Sequence, residues 1–264
     1  MRTNLGWIPF CIKQYKMSRT IIFSFILLLI LSCRSNSDKI TKIESVVQSE
    51  KPLKHLVRQP KVRSKNPPIL FLIHGYGANE SDLFDSLNKH FDDRFIVVSL
   101  RAPIVLGEES FAWYPLSFKT EGISIALEDE EKGAKVLKTN IDKLVESYNA
   151  DKENIFLLGF SQGAILSSYL VIEFPEIIKG AVVLSGRLPV KFQQENLNSD
   201  FENISVFISH GINDRVINIS EGRKLHLLFD KSGSDNVIYK EHTGAHGIDN
   251  KHFSDILKWL SLQI

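Results

Sequence analysis

A serine between two glycines limits the possible folds of this chain more than any other feature. The sequence Gly-Phe-Ser-Gln-Gly at residues 159–163 follows the largely apolar run 154–158 and precedes residues 164–174, which are typical of a helix. This order predicts a strand, a sharp turn and a helix, with Ser161 at the apex of the turn. The serine backbone in such a turn is strained, and only small residues fit two positions before and after it. The two glycines meet that requirement.

Apolar runs that are typical of buried strands alternate with helical patterns along most of the chain. The runs cover residues 68–74, 94–100, 154–160, 179–185, 204–210 and 236–242. Residues 130–148 carry apolar side chains at helical spacing, and Asp249 is the expected N-cap of a last helix. This alternation predicts an α/β fold in a single domain, with a doubly wound, mostly parallel sheet and helices on both faces.

An acid and a base are expected next to Ser161, because a serine hydroxyl is a poor nucleophile without them. Asp214 follows the predicted strand 204–210, and His246 follows the predicted strand 236–242. Carboxyl ends of parallel strands meet at one edge of a sheet, where such sheets bind their ligands. The sequence therefore predicts a catalytic triad of Ser161, Asp214 and His246.

Each partner of the serine has an alternative. Asp214 is also a residue type that forms turns in polar loops. His242 and His252 compete with His246 for the role of base, but the first belongs to a predicted strand and the second to a predicted helix. His246 lies between glycines in a loop and is the preferred base.

Two backbone N–H groups are candidates for an oxyanion hole. Gln162 directly follows the serine, and Tyr76 lies in the glycine-rich loop 74–79 after the first strong strand. An ordinary glycine turn is the alternative for that loop. His74 and His210 each end a predicted strand before a glycine, and we expect them to brace the loops of the site.

The start of the chain resembles an export signal. Residues 1–32 form a leader in which translation is expected to begin at Met17, followed by the short apolar run 21–31. Residues 30–33, Ile-Leu-Ser-Cys, resemble a bacterial lipobox, which predicts that Cys33 is lipidated. An uncleaved anchor, a plain secretory signal and a buried core helix are the alternatives. The first reading predicts an exported lipoprotein, anchored to a membrane on its periplasmic or cell-surface side.

The predicted mature chain has two parts. Residues 33–51 are polar and form a tether, and residues 52–264 form the folded domain. The full chain has a formal charge of +1, and the leader contains four basic and no acidic side chains, which leaves 28 basic against 31 acidic ones. No basic stripe is present in the sequence, so no nucleic-acid partner is expected.

Cysteine and metal chemistry are not expected in the domain. The chain has two cysteines, Cys11 and Cys33, and both lie before the domain. No group of histidines and carboxylates has the spacing of a metal site, so we predict neither a metal nor another cofactor.

Six motifs together resemble the phospholipase/carboxylesterase family of α/β-hydrolases, which includes acyl-protein thioesterases and bacterial carboxylesterases. They are Leu-Phe-Leu-Ile-His-Gly-Tyr-Gly at 70–77, Arg-Ala-Pro at 101–103, Ala-Trp-Tyr at 112–114, Gly-Phe-Ser-Gln-Gly-Ala at 159–164, His-Gly-Ile-Asn-Asp at 210–214 and Gly-Ala-His at 244–246. The resemblance covers about residues 53–264. It implies the α/β-hydrolase fold, the triad and oxyanion donors named above, and a metal-independent esterase for esters or thioesters of small to medium acyl groups.

The sequence thus predicts a membrane-tethered serine carboxylesterase that forms an acyl-enzyme intermediate. The long connection 104–127 contains Phe111, Trp113 and Leu116, which are the expected acyl pocket. The alternative is that these side chains only pin the loop to the core. Two rival functions are a peptidase or amidase similar to prolyl oligopeptidase, and a lipoprotein that uses a hydrolase-like domain only for binding.

Overall fold

The computed structural model describes residues 51–119, 122–193, 204–231 and 236–264. The predicted leader with Met17 and Cys33, and the predicted tether up to residue 50, lie outside the described residues. Within the described ranges, none of the helices combines the length and the hydropathy that a bilayer-spanning segment requires.

Strands and helices alternate along the described chain. The strands are β1 (His55–Arg58), β2 (Ile69–Ile73), β3 (Ile96–Leu100), β4 (Ile104–Gly107), β5 (Ser110–Ala112), β6 (Ser117–Lys119), β7 (Gly122–Ser124), β8 (Ile155–Phe160), β9 (Gly180–Leu184), β10 (Ser205–Gly211) and β11 (Val237–His242). The α-helices are α1 (Glu80–Leu87), α2 (Leu127–Ser147), α3 (Gln162–Glu173), α4 (Ile219–Lys231) and α5 (Asn250–Ser261), and short 3₁₀ helices cover Asn88–His90 and Val190–Gln193.

The central sheet has seven strands in the order β1-β3-β2-β8-β9-β10-β11. All neighbouring pairs are parallel except the edge pair β1 and β3. The six apolar runs of the sequence are the six parallel strands, so the predicted mostly parallel sheet is confirmed. β1 was not predicted, because it is short and only half-buried.

Helices cover both faces of the sheet, as predicted. The side chains of β2 alternate between two apolar clusters, with Ile69, Phe71 and Ile73 on one face and Leu70 and Leu72 on the other. The first cluster includes residues of α2, α3 and α4, and the second includes residues of α1 and α5. Burial of the strands on both faces explains why they are continuous apolar runs in the sequence.

A local signal accounts for the start of the last helix, whereas the hairpins of the long connection have no clear signal in the sequence. Asp249 is the N-cap of α5, and its side chain accepts a hydrogen bond from the backbone N–H of His252 at 3.0 Å. The connection 104–127 contains two small antiparallel hairpins, β4–β5 and β6–β7. Their strands have three or four residues, too few for a clear period in the sequence.

The turn between β8 and α3 has the strained geometry that the sequence predicts. Ser161 adopts φ 53° and ψ −115°, in a region that L-residues rarely occupy. A methyl group on Gly163 would overlap the carbonyl oxygen of Ile73, and one on Gly159 would overlap the carbonyl oxygen of Gly163. Gly163 therefore allows α3 to start directly against the end of β2, and Gly159 allows the same helix to pack closely on β8.

Replacing Gly163 should separate α3 from β2. We expect Gly163→Ala to lower the free energy of unfolding by about 3 kcal/mol, the upper part of the usual range for overpacking, because backbone atoms must move. Urea denaturation measures the change. Gly247→Ala is the matched control, because a methyl group there meets nothing within 4 Å. Equal stability of the two variants would contradict the close packing.

Candidate active site

The candidate site lies at the carboxyl ends of β2 and β8, where the strand order reverses. From β2 the chain continues outward to β3, whereas from β8 it continues in the opposite direction through β9, β10 and β11. Open α/β sheets bind ligands in the crevice at such a point. Tyr76 follows β2 and Ser161 follows β8, so both predicted site residues lie at this crevice.

Asp214 and His246 are brought together from two loops. Nδ1 of His246 is 2.7 Å from Oδ2 of Asp214, which is 4% exposed. The other carboxylate oxygen, Oδ1, accepts hydrogen bonds from the backbone N–H groups of Val216 at 2.8 Å and Ile217 at 2.9 Å. The turn after Asp214 thus fixes the carboxylate with one oxygen directed at the histidine.

A second histidine also faces the carboxylate. Nε2 of His210 lies 3.4 Å from Oδ2 of Asp214 and 2.8 Å from the carbonyl oxygen of Ile217, and the His210 side chain is fully buried. Burial alone would raise the pKa of Asp214, but the hydrogen bonds from His210, His246 and the Ile217 backbone outweigh it. The pKa of Asp214 is therefore well below its usual range, and the carboxylate stays ionised at neutral pH.

The serine turn borders the histidine and the loop after β2. The ring of Phe160, the residue before Ser161, is 5.0 Å from the ring of His246, measured between centroids. On the other side, a methyl group on Gly75 would lie 3.2 Å from Cβ of Ser161. The loop after β2 thus lies against Ser161, and the ring of the preceding residue lies against His246.

The two competing histidines have other contacts. Nδ1 of His252 is 2.7 Å from the hydroxyl of Ser209, and Nδ1 of His242 accepts a hydrogen bond from the backbone of Gly244 at 3.1 Å. Burial lowers the pKa of both. Of these three histidines, His246 is the one within hydrogen-bond distance of Asp214.

The first helical residue supplies one predicted oxyanion donor. Gln162 begins α3, and the first N–H groups of a helix have no partner within the helix. The other predicted donor, Tyr76, lies in a loop that is paired with β5: Gly77 donates to the carbonyl of Phe111 at 2.8 Å, and Phe111 donates to the carbonyl of Ala78 at 3.0 Å. Backbone pairing therefore holds the loop in place.

The side chain of Gln162 joins α3 to the segment after β5. Its Oε1 accepts a hydrogen bond from the backbone of Trp113 at 2.9 Å, and its Nε2 donates to the carbonyl of Tyr114 at 2.8 Å. The indole N–H of Trp113 donates to the carbonyl of His74 at 3.0 Å. Trp113 and His74 are fully buried.

Two of the three side chains of the predicted acyl pocket are buried by contacts with the protein itself. Trp113 has no exposed surface, and Phe111 is 6% exposed with the Arg101 guanidinium 4.2 Å from its ring centroid. Leu116 is half-buried against the core. For Trp113 this geometry favours the alternative role, in which the aromatic side chain pins the loop to the core.

Several side-chain contacts of the site are not identified by the sequence. The side chain of Gln162 and the ring of His210 hold neighbouring groups, and the buried carboxylate of Glu80 is paired with Arg101 and Lys54. The glycines next to Gln162 and His210 in the sequence are signals, but they do not identify the partners. Among the described residues, no group of three or more metal-binding side chains occurs.

Comparisons with known proteins identify the family of this chain. The family model for phospholipase/carboxylesterase matches residues 54–264. A Bacillus cereus carboxylesterase structure is similar with a TM-score of 0.70 and 26% identity, over 82% of this chain and 97% of that one. The Bacillus subtilis protein MhqD is 25% identical over 193 residues, which are 72% of this chain and 91% of MhqD.

A thioesterase is also among the relatives. Acyl-protein thioesterase 1 of Candida albicans is 30% identical over 135 residues, which cover 49% of this chain and 58% of the thioesterase. The chain thus spans little more than half the length of that relative. The family match and the structural similarity confirm the resemblance that the six motifs indicate. The chain belongs to the phospholipase/carboxylesterase family of hydrolases and has the α/β-hydrolase fold.

Proposed function

We propose that this protein is a serine carboxylesterase that cleaves esters or thioesters through an acyl-enzyme intermediate. The observation that carries the proposal is the 2.7 Å contact between His246 and the ionised Asp214, at the sheet edge where the strained turn presents Ser161. Family membership supports the same reaction class.

The hydrogen bond to Asp214 sets the protonation pattern of His246. An ionised carboxylate only accepts hydrogen bonds, so Nδ1 of the neutral ring carries the proton and Nε2 is left as a base. In the proposed reaction, Nε2 removes the hydroxyl proton of Ser161 as the oxygen attacks the carbonyl carbon. The same proton is then given to the leaving alcohol or thiol, and water repeats the sequence to release the acid.

Negative charge on the attacked carbonyl oxygen is proposed to be stabilised by the N–H groups of Tyr76 and Gln162. The location of Gln162 at the start of α3 supports this role, because a helix N-terminus favours negative charge. We propose substrates with small to medium acyl groups, with Leu116 and Phe111 next to the acyl chain. Trp113 has no exposed surface for such a contact.

Ser161→Ala should abolish hydrolysis of p-nitrophenyl esters and covalent labelling by a fluorophosphonate, because the alanine provides no nucleophile. Esters of graded acyl length measure the activity and its length preference, and a p-nitroanilide tests the amidase alternative. Ser254→Ala, on the exposed side of α5, is the control and should keep full activity. Wild-type activity no higher than that of Ser161→Ala would refute the esterase and leave the binding-protein alternative.

Asp214→Asn should lower kcat by about 10³- to 10⁴-fold at pH 7, because an amide cannot hold His246 in the required tautomer. Asp230→Asn, on the exposed side of α4, is the matched control. An Asp214→Asn enzyme with kcat within tenfold of wild type would contradict the assignment of the acid.

The same pair of variants should differ in the pH dependence of stability. The pKa of Asp214 is lower in the folded than in the unfolded chain, so ionised Asp214 stabilises the fold at pH values above about 4. That contribution is lost as the pH falls below about 4, where the unfolded chain takes up the proton first. Urea denaturation between pH 6 and 3 should show a shallower acid loss for Asp214→Asn than for Asp230→Asn.

We propose further that the chain is exported and held at a membrane by a lipid on Cys33. The support is the sequence of residues 17–33, with a basic start, a short apolar run and a lipobox-like end.

Metabolic labelling with an alkyne fatty acid tests the lipid attachment. We expect the full chain to be labelled in a bacterial host and Cys33→Ala to lose the label, because it has no thiol at the modified position. Cys11→Ala, which removes the only other cysteine, is the control and should keep the label. A label that persists in Cys33→Ala, or no label on the wild-type chain, would contradict the proposal.

A further inference from the structure

The protonation state of His74 follows from its two hydrogen-bond partners. Its Nε2 lies 3.0 Å from the backbone N–H of Ala102, which is only a donor, so Nε2 must be unprotonated. The proton of the neutral ring is then on Nδ1, which lies 2.7 Å from the carbonyl oxygen of Gly75 and donates to it. The structure therefore fixes a single tautomer of His74.

Burial keeps the ring of His74 neutral at neutral pH. His74 is fully buried, and burial lowers its pKa to about 4. The Gly75 carbonyl and Glu80 raise the pKa by less, and Arg101 lowers it further. Glu80 and Arg101 are the charged groups that act on the ring. His74 is thus neutral at pH 7 and, unlike His246, has no carboxylate of the described residues within hydrogen-bond distance.

The carbonyl that His74 holds belongs to the same peptide unit as a proposed oxyanion donor. The C=O of Gly75 and the N–H of Tyr76 flank one peptide bond. A trans peptide unit is planar, so these two groups point in opposite directions. Fixing the oxygen of Gly75 at His74 therefore fixes the direction of the Tyr76 N–H. The N–H of Ala78 also reaches that oxygen, at the longer distance of 3.3 Å.

Trp113 holds the preceding peptide unit, between His74 and Gly75, and links that unit to Gln162. Its indole N–H donates to the carbonyl of His74, and its backbone N–H donates to the side chain of Gln162. Gln162 carries the second proposed oxyanion N–H on its own backbone. Hydrogen bonds thus link the Gly75 carbonyl to Gln162 through the buried residues His74 and Trp113.

We propose that His74 is a positioning residue of the oxyanion hole: its Nδ1–H, supported by Trp113, directs the Tyr76 N–H at the carbonyl oxygen of the substrate. The proposal rests on the proposed esterase function. It adds a task for a histidine that transfers no proton in the reaction. The effect should fall on kcat, because an oxyanion hole acts on charge that develops only in the transition state.

Two substitutions of His74 separate its hydrogen bonds. In His74→Asn the amide nitrogen can replace Nδ1 as donor to Gly75, whereas in His74→Gln the amide oxygen can replace Nε2 as acceptor from Ala102. We expect kcat to fall about 100-fold in His74→Gln, and tenfold or less in His74→Asn, with KM within about threefold of wild type in both. The inhibition constant of a trifluoromethyl ketone, which forms a tetrahedral adduct, should rise in parallel with the loss of kcat.

Counting active sites with a fluorophosphonate separates loss of folded enzyme from loss of intrinsic rate. Trp113→Phe, which keeps a ring but removes the indole N–H, should lower kcat about tenfold at constant KM and tests the proposal even when a His74 variant fails to fold. Normal kcat per active site in His74→Gln or in Trp113→Phe, or a larger loss in His74→Asn than in His74→Gln, would overturn the inference. A wild-type enzyme no more active than Ser161→Ala would instead refute the esterase function itself.

Discussion

The packing of the first turn of α3 against the last residue of β2 is the constraint on which the rest of the site depends. Gly163 touches the carbonyl of Ile73, so no side chain larger than hydrogen fits between the helix and the strand. This contact places the chain after β2 beside the start of α3. It also holds the strained backbone of Ser161 between a buried strand and a buried helix. Backbone strain persists only where surrounding structure enforces it in this way.

Burial has opposite consequences for two ionisable side chains of the site. Asp214 is buried but receives N–H groups from several directions, so it remains charged. His74 is buried with one backbone donor and one backbone acceptor, so it remains neutral. The same physical cost, removal of a charge from water, is offset in one case and decisive in the other. Local hydrogen-bond partners therefore determine which group carries charge.

Much of the fold could be predicted because its rules are local. The parallel strands are continuous apolar runs, and Asp249 caps α5 through a contact three residues away. The edge strand β1 could not be predicted, since its pairing with β3 is set by residues some forty positions away. The positions of Asp214 and His246 after successive strands follow from strand order alone. That reasoning brings them to one edge of the sheet, and only the structure shows the contact between them.

The side-chain roles in the candidate site were harder to predict. Trp113 in a long connection is equally consistent with a pocket wall and with a core anchor, and its zero exposure is a property of packing rather than of sequence.

Edge strand β1 has a consequence of its own, because it runs antiparallel to β3 and Lys54 pairs with Arg101 beyond the carboxyl end of that strand. The preceding chain thus joins the domain on the rim of the crevice, three strand spacings or about 14 Å from β8. The described chain before β1 therefore shares one rim of the crevice with the loops that follow β2 and β8.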